Sequence, residues 1–316
     1  MLVMHAQTRK LLDSPGSEPL RISSMDGRLC RYGPKPQHVA FLSSIHAGAT
    51  PARKAIVAVG GLSCGLLFAE YISHLDAKLA DTDICLVQPL LSSSHTSWGI
   101  SSVSEDALEI DRLLEFFWTT YGISDFVLLG HSTGCQDAVM YVRRYGQSNF
   151  DNRNFRVRGV ILQGPVSDRE FLADFLPDVK EKIELCRKLL AEGRGDDIAL
   201  MFRWEDGGEG TPVTARRFLS LADVGGEDDM FSSHGVDLGE TLGSLRGMPT
   251  LVLMSGADEC QVGYIDPGMA GVQLKNAIGD SARLIVIERG LHDLKGKETS
   301  EKAARVIVQF AVQTLT

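Results

Sequence analysis

The sequence predicts an α/β fold in which helices flank a mostly parallel, doubly wound sheet. Its strand candidates are short, continuously apolar runs, the first of which is Ala55–Leu62, and such runs are typical of strands buried on both faces. Amphipathic stretches with helical spacing separate these runs, and this alternation indicates parallel strands joined by helices. In such sheets ligands bind at the carboxyl ends of the strands, so we expect the functional residues there.

The residues before Ala55 are predicted to add antiparallel edge strands. Residues 1–19 contain Ser, Pro and Gly without a clear period and are expected to form a mobile leader. Leu20–Ser24 and Arg28–Tyr32 flank Met25–Gly27, which is a plausible hairpin turn. His38–Ile45 follows as a third strand candidate.

The first half of the alternation is well marked. A helix is predicted over Gly65–Ala80, where apolar residues recur every fourth position, and a buried strand over Asp83–Pro89. Ser102 and Glu105 form a capping-box pattern at the start of the next helix. Gly122 is expected to end that helix.

The second half of the alternation is interrupted once. Elements of the regular pattern are predicted at Phe126–Leu129, Cys135–Tyr145, Val157–Pro165, Pro249–Ser255, Arg283–Ile287 and Glu298–Leu315. Between them, residues 167–246 contain amphipathic pieces and Gly- and Asp-rich loops but no strand of comparable strength, the helical pieces being Phe171–Leu176, Val179–Leu190 and Arg216–Leu221. We therefore expect residues 20–166 and 247–316 to form the core and residues 167–246 a helical cap insertion.

The strand candidate Phe126–Leu129 ends in Gly130–Gly134, which reads Gly-His-Ser-Thr-Gly. In this Gly-x-Ser-x-Gly motif a sharp strand-to-helix turn presents the Ser side chain above the edge of the sheet. With a strand before it and a helix after it, the motif predicts that Ser132 is a nucleophile. The alternative is an ordinary strand–turn–helix connection with a solvated Ser.

A Ser hydroxyl needs an adjacent base and a group that orients the base. On this type of scaffold the acid and then the His follow the nucleophile along the chain. Asp258 comes just after the strand candidate that ends at Ser255, and His292 comes just after the one that ends at Ile287. We predict a Ser132–Asp258–His292 triad, with Glu259 as the alternative acid.

The oxyanion of the acyl-transfer reaction needs fixed N–H donors. The backbone N–H of Thr133, directly after the nucleophile, is one candidate. The second donor is expected in the loop after the first buried strand, at Leu62 or, failing that, at Gly61. The alternative is that the Gly60–Gly61 pair only forms a tight turn.

Four other residues near these motifs could be mistaken for catalytic residues, and we expect different roles for them. Gln136 and Asp137 are expected to brace the helix after the motif, and His131 is expected to point away from the substrate. Trp98 is predicted either to line the pocket or simply to pack. A metal centre is not expected, because four further His residues lie outside any ligand spacing, namely His46, His74, His95 and His234.

Composition limits the partners and the compartment. The net charge of −9 and the pI of about 5.4 disfavour nucleic acid and anionic membranes as partners, and no apolar run is long enough to span a bilayer. Six scattered Cys residues without a C-x-x-C pair argue for free thiols in a reducing compartment. A cytoplasmic location is therefore expected, with a targeting leader around residues 9–12 as the alternative.

The motifs resemble those of the α/β-hydrolase superfamily over residues 55–316. Three segments, Gly130–Asp137, Ser97–Ser102 and Ser255–Glu259, are more narrowly similar to a largely uncharacterised family whose fungal members include intracellular esterases of fusarinine-type hydroxamate siderophores. Gly27–Tyr32 and Val39–Phe41 also look similar to the first strands of that family. The resemblance implies an α/β-hydrolase fold and an ester substrate.

The sequence departs from the general hydrolase pattern at two places. Gly60 stands where a His commonly precedes the oxyanion glycine, and Cys260–Val262 stands where an aromatic residue and a Pro are common. These departures put in question how the oxyanion loop is held and how Asp258 is oriented.

Taken together, the patterns predict a serine esterase that forms an acyl-enzyme and requires no metal or organic cofactor. The apolar faces of the predicted cap favour a medium-sized acyl or peptide-like ester as substrate. A thioesterase or lipase-like acyl hydrolase is the alternative enzyme, and a non-catalytic hydrolase-fold protein that binds a small ligand is the alternative of another class.

Overall fold

The structure is a computed structural model that describes residues 24–43, 53–146, 153–203, 210–262 and 266–316. The predicted leader, residues 1–19, lies outside these ranges. The strands are β1 Gly27–Arg31, β2 Val39–Ser43, β3 Lys54–Val59, β4 Ile84–Pro89, β5 Asp125–His131, β6 Arg156–Gln163, β7 Ile198–Phe202, β8 Thr211–Thr214, β9 Thr250–Ser255 and β10 Ala282–Ile287.

Nine α-helices occur in the described ranges. They are α1 Tyr71–Leu79, α2 Val103–Tyr121, α3 Gly134–Tyr141, α4 Asp168–Phe175, α5 Val179–Ala191, α6 Ala215–Ala222, α7 Leu238–Thr241, α8 Pro267–Ile278 and α9 Lys297–Leu315. A π-helical turn, Val142–Gly146, extends α3, and short 3₁₀ turns occupy His95–Gly99 and Gly243–Leu245.

The main sheet has eight strands in the order β1-β2-β4-β3-β5-β6-β9-β10. Strand β2 runs antiparallel to both β1 and β4, whereas all the other neighbours are parallel. This confirms the mostly parallel sheet with an antiparallel edge. Because β3, β5, β6, β9 and β10 point the same way, the loops that follow them meet at one edge of the sheet.

Helices cover both faces of the sheet, which explains the continuous apolar runs. In β3, Val57 packs into a buried cluster with α2, α3 and α8, whereas its neighbours Ile56 and Ala58 pack into a second cluster with α1 and α9. In β5, Leu128 faces the first cluster and Val127 the second. Each central strand is therefore apolar along its middle, where both faces are covered, whereas its ends carry polar residues such as Lys54 and Gln163.

The helix α2 has both of the ends predicted for it. The Ser102 side chain accepts a hydrogen bond from the Glu105 N–H at 3.1 Å at the start of α2. Gly122 ends this helix in the left-handed conformation with φ 73°, as expected from its sequence position.

The prediction for the helix after β3 was wrong at its start. Helix α1 begins at Tyr71 and not at Gly65, because Leu67 adopts a left-handed conformation with φ 56°. The Leu67 N–H donates to the Gln88 side chain at 2.8 Å. A tertiary contact thus replaces the first helical turn.

The predicted first hairpin was also misplaced. Strand β1 pairs with β2, from Gly27 opposite Ser43 to Arg31 opposite Val39, and Gly27 lies in the strand and not in a turn. The partner proposed for it, Leu20–Ser24, lies outside the described residues except for Ser24, which has no strand structure.

Helix α8 was not predicted. Its N-terminal signals are present, because the Asp266 side chain caps the N–H groups of Gly268 and Met269 and Pro267 occupies the first turn. Gly268 and Gly271 weaken its propensity and its periodic pattern.

We call residues 167–246 the cap segment. Its three predicted helical pieces are present as α4, α5 and α6, and two short strands that were not predicted, β7 and β8, form an antiparallel pair. Their exposed apolar positions, Ile198 and Met201, hide the alternating pattern of a half-buried strand. The cap segment builds an apolar cluster of its own around Phe202 and Phe218, onto which Trp98 packs.

Candidate active site

Ser132 lies at a sharp turn between β5 and α3. Its backbone is left-handed, with φ 54°, a conformation that costs a non-Gly residue about 1–3 kcal/mol. Two hydrogen bonds hold the turn: the Ser132 N–H donates to the Gln163 carbonyl at 3.0 Å, and the Cys135 N–H donates to the Ser132 carbonyl at 2.8 Å. The half-buried side chain of Ser132 is thus presented at the strand-end edge of the sheet.

The two motif glycines are required by close backbone contacts. A Cβ at Gly130 would lie 2.2 Å from the Gly134 carbonyl oxygen, and a Cβ at Gly134 would lie 2.4 Å from the Val59 carbonyl oxygen. Both distances are far inside van der Waals contact, so any side chain would push β5, α3 and β3 apart.

Asp258 and His292 are in direct contact. The Nδ1 atom of His292 lies 2.8 Å from Oδ1 and 3.0 Å from Oδ2 of Asp258. The Asp258 side chain is fully buried, and 12% of the His292 side chain is exposed. The two loops that follow β9 and β10, which are parallel neighbours, bring them together.

Glu259, the alternative acid, has a different position. Its carboxylate accepts a hydrogen bond from the His292 backbone N–H at 2.8 Å. Glu259 therefore holds the main chain of the His loop, whereas Asp258 contacts the imidazole. The Cys260 N–H also donates to Asp258 Oδ1 at 2.9 Å, so the unusual residue after the acid still helps to orient it.

The Asp258 carboxylate makes His292 a stronger base. Burial lowers the pKa of His292, but the hydrogen bond and the charge of Asp258, helped by Glu259, outweigh burial and raise the pKa above its ordinary value. Because the Asp258 carboxylate accepts a hydrogen bond from Nδ1–H, the lone pair of the neutral ring is on Nε2.

The end of β6 contacts both the Ser132 turn and the His292 loop. Gln163 accepts the Ser132 N–H, and its neighbour Gly164 lies under the imidazole. A Cβ at Gly164 would come within 3.2 Å of His292 Cε1 and 3.6 Å of Asp258 Oδ2, and its φ is 59°. Neither Gln163 nor Gly164 was singled out from the sequence, although a polar residue and a Gly ending an apolar run are a weak signal.

The loop after β3 lies directly against Ser132. A Cβ at Gly61 would be 2.6 Å from the Ser132 Cβ and 3.1 Å from its Oγ. A tight turn is also present, since the Cys64 N–H donates to the Gly61 carbonyl at 3.1 Å. At Gly60 a Cβ would lie 2.6 Å from that of Cys64, so this turn has no room for the His that is common at this position.

Two of the predicted oxyanion donors are available. Thr133 directly precedes α3, where backbone N–H groups have no intrahelical acceptor. Within the described residues, neither the Thr133 N–H nor the Leu62 N–H donates a hydrogen bond. Thr133 directly follows Ser132 in the turn. Leu62 directly follows Gly61, which contacts Ser132.

A small apolar cavity adjoins Leu62. Trp98, Asp168 and aromatic residues of the cap segment complete its lining, and its volume of about 10 Å³ is close to the space that one water molecule needs. The Trp98 indole N–H donates to Ser63 Oγ at 3.0 Å. Trp98 therefore both lines a pocket and packs.

Residues on either side of the Ser132 turn are buried and contact neighbouring elements. His131 stacks on Phe68 with ring centroids 5.4 Å apart, and burial, followed by the nearby His292, lowers its pKa to about 3. Gln136 donates to the Asp168 carboxylate of the cap segment. Burial, and then the neighbouring carboxylates, raises the pKa of Asp137 well above its ordinary value.

One group in the described ranges could offer three ligand atoms to a metal, namely Asp258, Cys260 and His292, whose atoms lie within 4.8 Å of one another. It fits a metal poorly. The first and last of these side chains bind each other, and burial raises the pKa of the Cys260 thiol, whereas metals bind the thiolate.

Comparison with known proteins establishes the family. A family profile described as "Protein of unknown function (DUF1749)" matches residues 20–313. The chain belongs to this family. Among its relatives, the fusarinine C esterase sidJ of Aspergillus fumigatus is 30% identical over 264 residues, which cover 69% of this chain and 75% of that protein. The esterase AN6793 of Emericella nidulans is 30% identical over 283 residues, covering 72% and 74%.

Solved structures confirm the α/β-hydrolase fold. The siderophore hydrolase EstB from Aspergillus fumigatus superposes with a TM-score of 0.71 at 25% identity and covers 93% of this chain and 99% of that one. An α/β-hydrolase fold protein of unknown function gives a TM-score of 0.59 at 19% identity, covering 93% and 97%. The resemblance to the family that contains fusarinine-type esterases is thus confirmed. Within the described residues, every helix is too short or too polar to cross a bilayer.

Proposed function

We propose that this protein is a serine hydrolase that cleaves a carboxylic ester through an acyl-enzyme. The observation that supports this most is the contact between buried Asp258 and His292, at the same sheet edge as the strained turn of Ser132. A strained nucleophile turn next to an oriented imidazole is the arrangement that Ser needs for attack at neutral pH.

In this mechanism His292 Nε2 removes the Ser132 hydroxyl proton while Oγ forms a bond to the ester carbonyl carbon. The same proton then passes from Nε2 to the leaving alcohol as the ester C–O bond breaks. Water, deprotonated by His292, releases the acid and returns Ser132. Asp258 keeps the ring in the required tautomer and stabilises the imidazolium.

The tetrahedral oxyanion would be bound by backbone N–H groups. Thr133 and Leu62 supply the two donors, and Gly61 allows the substrate carbonyl to approach Ser132 because it carries no side chain. Charge that develops on a carbonyl oxygen is stabilised best by donors that are already in place.

The names of the relatives support the proposed substrate class. Two relatives are named for ester hydrolysis, one of them for fusarinine C, and the solved relative is named a siderophore hydrolase. We therefore propose a siderophore-type or other medium-sized ester. The cap segment, which meets the core at Trp98 and at the Gln136–Asp168 contact, would cover this substrate.

The compartment fits the same proposal. All six Cys residues are free thiols in the structure, and free thiols persist in reducing compartments. A cytoplasmic esterase acting on a small-molecule ester is the simplest consistent assignment.

A fluorophosphonate probe tests the nucleophile. Wild-type protein should be labelled and should hydrolyse p-nitrophenyl esters, whereas Ser132→Ala should do neither. Ser124→Ala is the matched control, because Ser124 is also half-buried but directly precedes β5 at its opposite end, and it should be labelled like wild type. Equal labelling of wild type and Ser132→Ala would contradict the proposal, and binding of an ester without turnover would favour a non-catalytic protein.

A substrate panel separates the reaction classes. Fusarinine-type siderophore esters, acyl-thioesters and p-nitrophenyl esters of increasing acyl length should be compared by kcat/KM. A siderophore ester preferred over the best thioester supports the proposed class, whereas a preference for thioesters would replace it by a thioesterase.

A further inference from the structure

We infer that Gln163, the last residue of β6, is a positioning residue that holds the His292 loop in register with Ser132. This inference rests on the proposed function, because it concerns the geometry of the same site. It adds a residue that touches neither the substrate nor the reacting atoms.

The Gln163 side chain is fully buried and joins elements that are distant in the chain. Its Nε2 donates to the His292 backbone carbonyl at 3.0 Å and lies 3.4 Å from Ser255 Oγ. Its Oε1 lies 2.5 Å from His131 Nδ1 and 3.3 Å from the Tyr71 hydroxyl. One amide therefore links β5, β9, α1 and the loop after β10.

The orientation of this amide is fixed by its partners. The His292 carbonyl can only accept, so the Gln163 nitrogen must face it and the oxygen must face His131. Because the pKa of His131 is lowered to about 3, chiefly by burial, its ring is neutral and donates from Nδ1. The network is consistent with a single arrangement of protons.

The main chain of the same residue contacts the nucleophile. The Gln163 carbonyl accepts the Ser132 N–H at 3.0 Å, and Gln163 is paired in the sheet with His131 on one side and Leu253 on the other. Its backbone thus holds the Ser132 turn while its side chain holds the His292 loop. A residue in a central strand can fix such a distance better than a loop residue can.

Loss of the amide should loosen the His292 loop without removing any reacting group. The His292 carbonyl and the His131 ring would each lose a partner inside the protein. A displacement of this kind, even of about 1 Å, lowers the rate by about 100-fold. We expect kcat to fall about 10- to 100-fold while KM stays within about threefold.

A pH profile separates positioning from general damage. The hydrogen bond to Asp258 keeps the pKa of His292 above its ordinary value despite burial. If that contact loosens, the pKa falls, and the acid limb of kcat/KM moves to lower pH. A variant that is merely less stable has a lower maximum of kcat/KM, but the pH of its acid limb does not change.

The experiment compares Gln163→Met and Gln163→Leu with Gln88→Leu. Met preserves the length of the side chain without its donor, so it is the variant most expected to fold. Gln88 is the matched control, since it is also a buried strand Gln with a hydrogen bond to a loop, here from the Leu67 N–H. Each variant is measured for thermal midpoint, kcat, KM and pH profile with a p-nitrophenyl ester.

We expect both Gln163 variants to show the loss in kcat and the lowered acid limb, and Gln88→Leu to keep the wild-type limb. A Gln163→Met enzyme with wild-type kcat, or with reduced kcat and an unmoved limb, would overturn the inference. Ser132→Ala is measured in parallel: if it is as active as wild type, the proposed function itself fails, whereas if it is inactive, any failure concerns Gln163 alone.

Discussion

Replacing Asp258 by Asn is the most informative perturbation of the proposed triad. Asn has the same shape, so the fold should persist, but it has no charge, and its amide nitrogen cannot accept a hydrogen bond from the His292 Nδ1–H. Asp258 is completely buried and bonds Nδ1 of His292 at 2.8 and 3.0 Å. The variant therefore loses both the tautomer control and the stabilisation of the imidazolium.

The magnitude follows from these two losses. A hydrogen bond to a charged group contributes about 1.5–3 kcal/mol, and a wrong tautomer leaves no base facing Ser132. Together they correspond to a loss of about 10³- to 10⁴-fold in kcat, that is about 4–5.5 kcal/mol at 1.36 kcal/mol per tenfold. The acid limb should also move to lower pH, because burial still lowers the pKa of His292 and the charge that raised it is gone.

The matched comparison is Glu259→Gln. Glu259 accepts a hydrogen bond from the His292 backbone N–H. A Gln oxygen can also accept this bond, so we expect less than about a tenfold loss in kcat. Steady-state kinetics with a p-nitrophenyl ester between pH 5 and pH 9 give kcat, KM and the position of the acid limb of the pH profile for both variants. A larger kcat loss in Glu259→Gln than in Asp258→Asn would refute the assignment of the acid.

Four further outcomes are expected. In wild type, kcat/KM should fall as the pH drops through the raised pKa of His292, since the base must be neutral; a limb well below pH 6.5 would contradict this. Gly61→Ala would place its Cβ 2.6 Å from that of Ser132 and should lower kcat/KM by about 100-fold with a small change in thermal midpoint; normal activity would show that the loop is elsewhere. Ser132→Gly should be about 1 kcal/mol more stable to urea than Ser132→Ala, because only Gly relieves the positive φ; equal stabilities would argue against strain. Arg217 and Asp228 form a buried ion pair, with Nη1 and Oδ2 2.6 Å apart. Arg217→Met leaves Asp228 buried without a cation, although the Ser220 hydroxyl still donates to it, and should lower the unfolding free energy by about 3–5 kcal/mol; a change below about 1 kcal/mol would show that the pair is not needed.

The parts of the fold that sequence predicted well are those whose signals are local. The Ser102 cap with its partner Glu105 lies within one helical turn, and the Gly130–Gly134 turn depends on its own glycines and on the strand before it. The continuous apolar runs identified the central strands because each is covered on both faces.

The parts that sequence missed depend on distant contacts. Leu67 leaves the helical conformation because its N–H bonds Gln88, 21 positions away. The hydrogen bond between Gln163 and His292 joins residues 129 positions apart, and no sequence pattern near either residue predicts it. The β7–β8 pair is inconspicuous because apolar residues such as Met201 remain exposed.

The positions of Asp258 and His292 were predictable, but the separate task of Glu259 was not. Two adjacent carboxylates after one strand look alike in a sequence. In the structure Asp258 contacts the imidazole of His292, whereas Glu259 accepts the backbone N–H of the same residue. Only three-dimensional geometry distinguishes the two carboxylates.

The central claim is that Ser132 carries the acyl group during turnover, and rapid quenching tests it directly. Wild-type protein mixed with an activated ester, quenched within milliseconds and digested, should yield a peptide that contains Ser132 and is heavier by the mass of the acyl group. Ser132→Ala should yield no such peptide and no turnover. An acyl group on a different residue, or turnover by Ser132→Ala at the wild-type rate, would contradict the account.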